Sequence, residues 1–256
     1  MSENRTGVLE NSRTRLKKIV EQQGLSDVAV TVLVKPLSAE EAIGKPCRRD
    51  FPIIEGKERV IEAEVLGAKG HAFTDSPADF SGRLEDILNL PLKTNSDRAL
   101  YIATLNAVLG HLGIAEKMVH CKDEEPELCG KEIADYILRR WGRVKVGLIG
   151  LNPAIAAALS DTFGAENVRI TDLNEQNIGS EKYGVEIWDG RRMAQDLIEQ
   201  SDVVLITGTT LVNGTFDSII DCIHNYDKDY LIYGVTAAGV CELMGLERIC
   251  PYGRNH

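Results

Sequence analysis

The chain has no apolar run long enough to cross a bilayer. Its most hydrophobic stretches, Val28 to Val34 and Val203 to Ile206, are strand-sized, far short of the roughly 20 residues a spanning helix requires. The opening segment, MSENRTGVLENSRTRLKK, lacks the apolar stretch that marks a secretory signal. Together these absences predict a cytoplasmic protein that engages no membrane and keeps its six cysteines as thiols. Basic residues are also scarce, with 29 Lys and Arg against 39 Asp and Glu, a net charge of −10. A chain with no diffuse positive field has little to attract a polyanion, which argues against nucleic acid as a partner. There is no CxxC pair of the kind found in zinc modules, no GxGxxG phosphate turn, and no internal repeat.

What is present is an ordinary globular composition, 43% hydrophobic and 27% charged over 256 residues, enough for one large or two modest domains. The charge is unevenly spread. Residues 1–143 hold 21 basic and 23 acidic side chains, whereas 144–256 hold 8 and 16. A boundary near 143 also fits the pattern around Leu138-Arg-Arg-Trp-Gly142, which reads as the basic end of a helix stopped by glycine. Before it, the pattern predicts a helix from Val8 to Gln23, strands at Val28–Val34, Arg59–Leu66 and His71–Thr74 in an antiparallel meander, and a short helix capped by Ser81. A buried helix capped by Asn95 or Ser96 follows, and then a helix after Pro126. Beyond 143, strands at Val144–Ile149, Val168–Asp172, Asp202–Thr207 and Tyr230–Val235 alternate with helices, the signature of a parallel sheet.

Ligands of such sheets bind outside the carboxyl ends of the strands. The turn Gly147-Leu-Ile-Gly150-Leu-Asn152-Pro153 follows the first of these strands, and Asp172 ends the second, where a carboxylate can meet ribose hydroxyls or simply cap a turn. The loop Thr207-Gly208-Thr209-Thr-Leu-Val-Asn213-Gly-Thr215 offers hydroxyls, an amide and backbone N–H groups to an anion, with Thr215 alternatively capping the next helix. With so few basic residues in this half, a cationic or metal-bearing ligand suits it better than a strongly phosphorylated one. An arginine-bearing first half closing over an acidic second half is the expected arrangement.

Two further groups of residues carry chemistry. His120, Cys121 and Cys129 are soft donors within ten residues, suited to a late transition metal. Cys129 also falls near a helix start, where thiolate is favoured, although it shares a spacing with Ile133 and Ile137 that faces a core. His71 and Asp75, at a strand end, are candidate general base and partner. Asn106, inside the buried helix, needs a hydrogen-bond partner.

The segments GKERVIEAEVLGAKGHAFTDSPADFSG, NSDRALYIATLNAV, MVHCKDEEPELCG, VGLIGLNPAI, VRITDLNEQNIG and LITGTTLVNGT, in that order, resemble the family named for "putative heavy-metal chelation". The resemblance runs from about residue 50 to 245. It implies an α/β protein in which a Rossmann-like parallel sheet (144–256) follows a smaller α+β domain with the fold of the enolase N-terminal domain (1–143, with an extra N-terminal helix). It also implies a ligand site in the cleft between the two.

The combined expectation is a small-molecule-binding protein with a chelatase-like, metal-handling chemistry. His71, Asp75 and His120 are its candidate catalytic groups. Asn106, Asn152, Asp172, Thr207, Gly208, Thr209, Asn213 and Thr215 would contact the ligand, and His120, Cys121 and Cys129 would hold a transition metal. A non-catalytic metallochaperone or ligand sensor, and a nucleotide-dependent group-transfer enzyme without metal, are the alternatives. Assembly into a homo-oligomer is left open.

Overall fold

A computed structural model describes residues 6–25 and 31–255. Helix α1 (Val8–Gln22) buries Val8, Ser12, Leu16 and Val20 along one stripe, as the 3.6-residue period requires. The predicted strand Val28–Val34 lies partly outside the described residues; from Thr31 onward β1 (Thr31–Leu37) continues to Leu37. Two short helices, α2 (Ala39–Ile43) and α3 (Pro52–Glu55), lead to the hairpin of β2 (Arg59–Val65) and β3 (Ala68–Thr74). Its two-residue turn pairs Val65 with Ala68, and Leu66 and Gly67 both take positive φ, the geometry that matches strand twist in tight hairpins.

The meander is as expected, but a fourth strand, β4 (Phe80–Arg83), pairs with β1, giving the order β3-β2-β1-β4. Ser81 is therefore a strand residue rather than a cap, and α4 (Leu84–Leu88) begins after Arg83, whose N–H is taken by the Asp86 carboxylate at 2.9 Å. Helix α5 (Asn95–His111) starts one residue earlier than expected, with Thr94 and Asp97 forming a reciprocal capping box.

Helix α5 is buried continuously from Ala99 to Leu109, because both of its sides are covered. One side lies on β2 and β3. The other meets α9 (Thr209–Asn213) and α11 (Ala238–Met244) from the second half of the chain, and these residues share one core with α1. Gly70 makes the close approach possible: a methyl group there would run into the backbone of Ala103 and Ala107. Helix α6 (Glu125–Trp141) packs instead on α7 (Pro153–Phe163), so that Ile133 and Ile137 help cover the second sheet although they precede residue 143.

That second sheet contains β5 (Val146–Ile149), β6 (Val168–Asp172), β7 (Glu181–Lys182), β8 (Val185–Asp189), β9 (Val203–Thr207), β10 (Asp229–Tyr233) and β11 (Arg248–Ile249). Their order is β11-β10-β9-β5-β6-β8-β7, parallel except for the β7–β8 hairpin. One face is covered by α6 and α7. The other is covered by α8 (Gly190–Gln200) and α10 (Phe216–Asn225), through Leu197, Ile198, Ile219 and Ile223. Both faces of the central strands are thus apolar, as buried parallel strands demand. The chain moves outward from β5 to β6 and β8, then returns to β9 on the other side of β5. This reversal places a crevice at the carboxyl ends of β5 and β9. No helix among the described residues is long and apolar enough to cross a membrane.

Candidate functional site

The β5 exit is shaped by local chemistry. Gly150 holds φ +87°, a conformation other residues avoid. Asn152 caps α7 by accepting the Ile155 N–H at 3.2 Å, and the Tyr233 hydroxyl donates to the Gly150 carbonyl at 2.9 Å. Asn152 and Tyr233 therefore satisfy backbone groups at the β5 exit from within the fold. Across the crevice, the Thr209 hydroxyl donates to that of Thr207 at 3.1 Å, and the Gly208 N–H is taken by the Tyr233 carbonyl at 2.9 Å. Further along, Asn213 Oδ1 accepts from both the N–H (3.0 Å) and the hydroxyl (2.7 Å) of Thr215. Thr215 stands at the N-cap of α10, but its hydroxyl serves Asn213 rather than the helix.

Facing this crevice are the start of β2 and the end of β3. The Phe73 N–H donates to the Thr236 hydroxyl at 3.1 Å, which ties the two sheets together at this point. Glu58 lies here under the influence of two other carboxyl groups, Asp172 and Asp75. Glu58, just before β2, has its pKa raised to about 7, first by burial and then by the negative charges of Asp172 and Asp75. Asp172 is itself raised by burial, against the pull of hydrogen bonds from the Asn177 amide (2.7 Å) and the N–H groups of Leu173 (2.6 Å) and Asn174 (3.2 Å). Asp75 accepts from the Asn95 amide and the Ser76 hydroxyl, both at 2.9 Å. The Tyr233 phenol is also pushed up, by burial first, with Glu58 and Asp172 adding to it.

Asn177 links this cluster to an adjoining recess of about 140 Å³, lined by Asp50, Pro52, Leu151, Pro153 and Tyr183 among others. There the Tyr183 hydroxyl donates to Asp50 at 2.5 Å, and Arg48 reaches the Tyr183 oxygen at 2.7 Å and Glu127 at 2.7 Å. The other oxygen of Asp50 is buried without a hydrogen-bond partner among the described residues.

Not every residue singled out from the sequence meets this cleft. The imidazole of His71 is 1% exposed and engaged on both sides: Nε2 donates to Glu62 at 3.1 Å, and Nδ1 accepts the His120 N–H at 3.2 Å. Glu62, which also pairs with Lys69, is held down to about 2, foremost by the His71 hydrogen bond. Asn106 has found its partners inside the fold. Its amide donates to the carbonyls of His71 (2.9 Å) and Val235 (3.1 Å), and its oxygen accepts the Gly239 N–H at 2.7 Å. These bonds leave neither group free for a ligand. Of the sequence candidates, Asp75 and Asp172 each bear on one further carboxyl, that of Glu58. Glu58 stands just before β2, at a position the sequence did not flag.

His120, Cys121 and Cys129 form a separate group. The His120 ring packs edge-on against Phe73 with centroids 5.1 Å apart, and its Nδ1 donates to the Cys121 carbonyl at 2.6 Å. Burial lowers its pKa to about 4, so the ring is neutral at pH 7. Cys121 is buried, Cys129 and Cys250 partly so, and burial foremost pushes the Cys250 thiol up to about 11. No three His, Cys, Asp or Glu side chains among the described residues are already grouped as a metal-binding set.

With this geometry in view, comparison with known proteins is informative. Residues 133–244 match the DUF364 family. The family is described as "putative heavy-metal chelation", and the resemblance read from the sequence is borne out over that segment. A DUF364 protein of unknown function from Pyrococcus horikoshii superposes with a TM-score of 0.52 at 16% identity, covering 90% of this chain and 80% of its own. That likeness establishes the mixed α/β fold. A second DUF364 structure, from Desulfitobacterium hafniense, gives a TM-score of 0.46 at 14% identity, covering 73% of this chain and 72% of its own. No curated protein sequence matches the chain.

Proposed function

We propose that the protein handles a divalent cation together with a small organic ligand in the cleft between the two sheets, in the manner of a chelatase. The observation that carries this reading is Glu58, a carboxyl poised near neutrality by burial foremost and by the charges of Asp172 and Asp75 beside it. Glu58 feels the charges of Asp172 and Asp75, and a cation would relieve that repulsion while displacing the proton that Glu58 otherwise holds. Putting a metal into an organic ligand, or taking it out, also requires a base to exchange protons with that ligand. A group titrating near pH 7 does this most effectively. Glu58 takes the base role earlier considered for His71, whose nitrogens are both engaged. No ready-grouped donor set stands among the described residues, so Asp75 and Asp172 would have to draw in toward the cation on binding, while Thr207, Thr209 and Asn213 would orient the organic part. The description of the matching family agrees with this chemistry.

Calorimetric titration with Mn²⁺, a cation that prefers oxygen donors and leaves the thiols out of the measurement, tests the reading. Glu58→Gln is expected to weaken binding by about tenfold or more, equivalent to ~1.4 kcal/mol. Equal affinity in both proteins would exclude Glu58 from the site.

A further inference from the structure

The recess of about 140 Å³ beside the crevice has no part in the chemistry assigned to Glu58. Both halves of the chain build it. One wall is α3 with Asp50 before it, in a segment that ends at Gly56, two residues ahead of Glu58. The other is the exit of β5 at Leu151, the start of α7 at Pro153, and the loop that leads from β6 into β7. The recess therefore lies outside the carboxyl ends of β5 and β6, where sheets of this kind take ligands. The β7–β8 hairpin is anchored to the first wall: Tyr183 donates to Asp50, and Arg48 holds both Tyr183 and Glu127. In its two-residue turn Tyr183 keeps a φ of +55° ahead of Gly184, a conformation that a bulky residue adopts only where its surroundings fix it.

The fold leaves much of the hydrogen-bonding capacity of these walls unused. Asp50 engages Tyr183 and Arg48 through one carboxylate oxygen, and the other is buried without a partner among the described residues. A buried acceptor in that state costs free energy that a bound donor restores. Asn174 commits its oxygen to the Gln176 N–H at 3.1 Å, and Asn177 commits its amide nitrogen to Asp172 at 2.7 Å. A donor is left on the first and an acceptor on the second. The side chains of Gln176 and Lys182 make no hydrogen bond or ion pair among the described residues. Charge does not select an ion, because Asp50 and Glu55 are matched by Lys182 and by Arg48, 3.4 Å from Asp50. Such walls suit a ligand whose groups donate and accept at once, and a hydroxyl does both. Size narrows the choice further. The volume is close to the ~150 Å³ of an apolar cavity that holds a benzene ring, and well below the roughly 300–1,000 Å³ of a pocket for a larger organic molecule.

We propose that this recess binds a single ring bearing vicinal hydroxyls, supplied either by a free monosaccharide or by the ribose of a nucleoside whose base stays outside. Asp50 accepts from one hydroxyl, its soft last torsion allowing the unpaired oxygen to turn toward the donor. Asn174 and Lys182 donate to the hydroxyl oxygens, Asn177 and Gln176 accept from the hydroxyl protons, and the C–H face of the ring lies against Pro52, Leu151 and Pro153. The site is separate from the cation reading and needs no metal.

The test is saturation-transfer NMR on the full chain in the presence of chelator, so that failure here and failure of the cation reading are independent results. D-ribose and uridine are the probes, titrated into the millimolar range. Saturable transfer to D-ribose, whether or not uridine also binds, assigns the recess to a free sugar; transfer to uridine alone assigns it to a nucleoside. Either upholds the proposal. Tetrahydropyran-2-methanol and 2′-deoxyuridine, whose rings lack the vicinal pair, should bind at least about tenfold more weakly than the corresponding probe, and Asp50→Asn should weaken that probe by about tenfold. Gln176→Ala, on an exposed loop, should weaken it by about threefold and stays informative where Asp50→Asn loosens the Tyr183 tie. Saturable binding of neither probe, equal binding of the rings without the vicinal pair, or unchanged affinity in both variants would overturn the proposal.

Discussion

Glu58 shows how much a single side chain can depend on residues distant in sequence. A carboxyl that ordinarily titrates near 4.5 is shifted to about 7 by burial and by Asp172 and Asp75, so the folded state binds its proton more tightly than the unfolded chain does. The stability this contributes is complete below about pH 4.5 and is lost as pH rises through about 7. Glu58→Gln, which mimics the protonated form, should therefore raise Tm at pH 8 and leave it nearly unchanged at pH 4.5, as thermal melts at the two pH values would register. An equal shift at both would mean that packing, not charge, governs the site. Glu62 behaves in the opposite sense: its pKa is lowered to about 2, so its stabilising contribution is present above about 4.5 and lost as pH falls through about 2. At this scale the sequence was only partly legible. Asp75 and Asp172 could be named from their places at strand ends. Glu58 could not, because nothing local distinguishes it until the two sheets are brought face to face. Asn106 was recognisable as needing partners, but whether those were a ligand or the backbone depended on a helix from the other half arriving beside it.

Elements with a strong period were readable. Helix α1, β2 and β6 fall where alternation and glycine stops put them, because each carries its own hydrophobic face, whereas β3 begins at Ala68 and runs through Gly70, three residues ahead of the expected His71. Short elements were missed: β4 and the β7–β8 hairpin are held by pairing with neighbours rather than by their own pattern. Helix α5 was expected to be buried, and its reason is now visible. It is a wedge between the antiparallel sheet and the helices α9 and α11, and it lies so close to β3 that Gly70 has no room for a side chain. Gly70→Ala should cost about 2 kcal/mol or more, in the range of overpacked cores, measured as a lower urea midpoint with unchanged slope. A neutral substitution would show that α5 can shift away from the sheet.

Across the whole molecule, the uneven charge led to the expectation of arginines from the first half covering an acidic second half. Arg48 and Arg98 do reach across, to the Tyr183 hydroxyl and to the Val212 carbonyl at 2.6 Å. Yet they serve as ties between segments, and the cleft is acidic from both sides, with Glu58 and Asp75 opposite Asp172. The second half has few cations to neutralise that cluster, so a positively charged ligand is the natural counterpart. The most direct test of this account is the proton count on cation binding, obtained by titrating Mn²⁺ at pH 7 in two buffers of different ionisation enthalpy. A group at its own pKa is half protonated, so about 0.5 proton should be released per cation at pH 7, falling toward zero at pH 9 and in Glu58→Gln at either pH. Binding without proton release at pH 7, or the same release from Glu58→Gln, would contradict it.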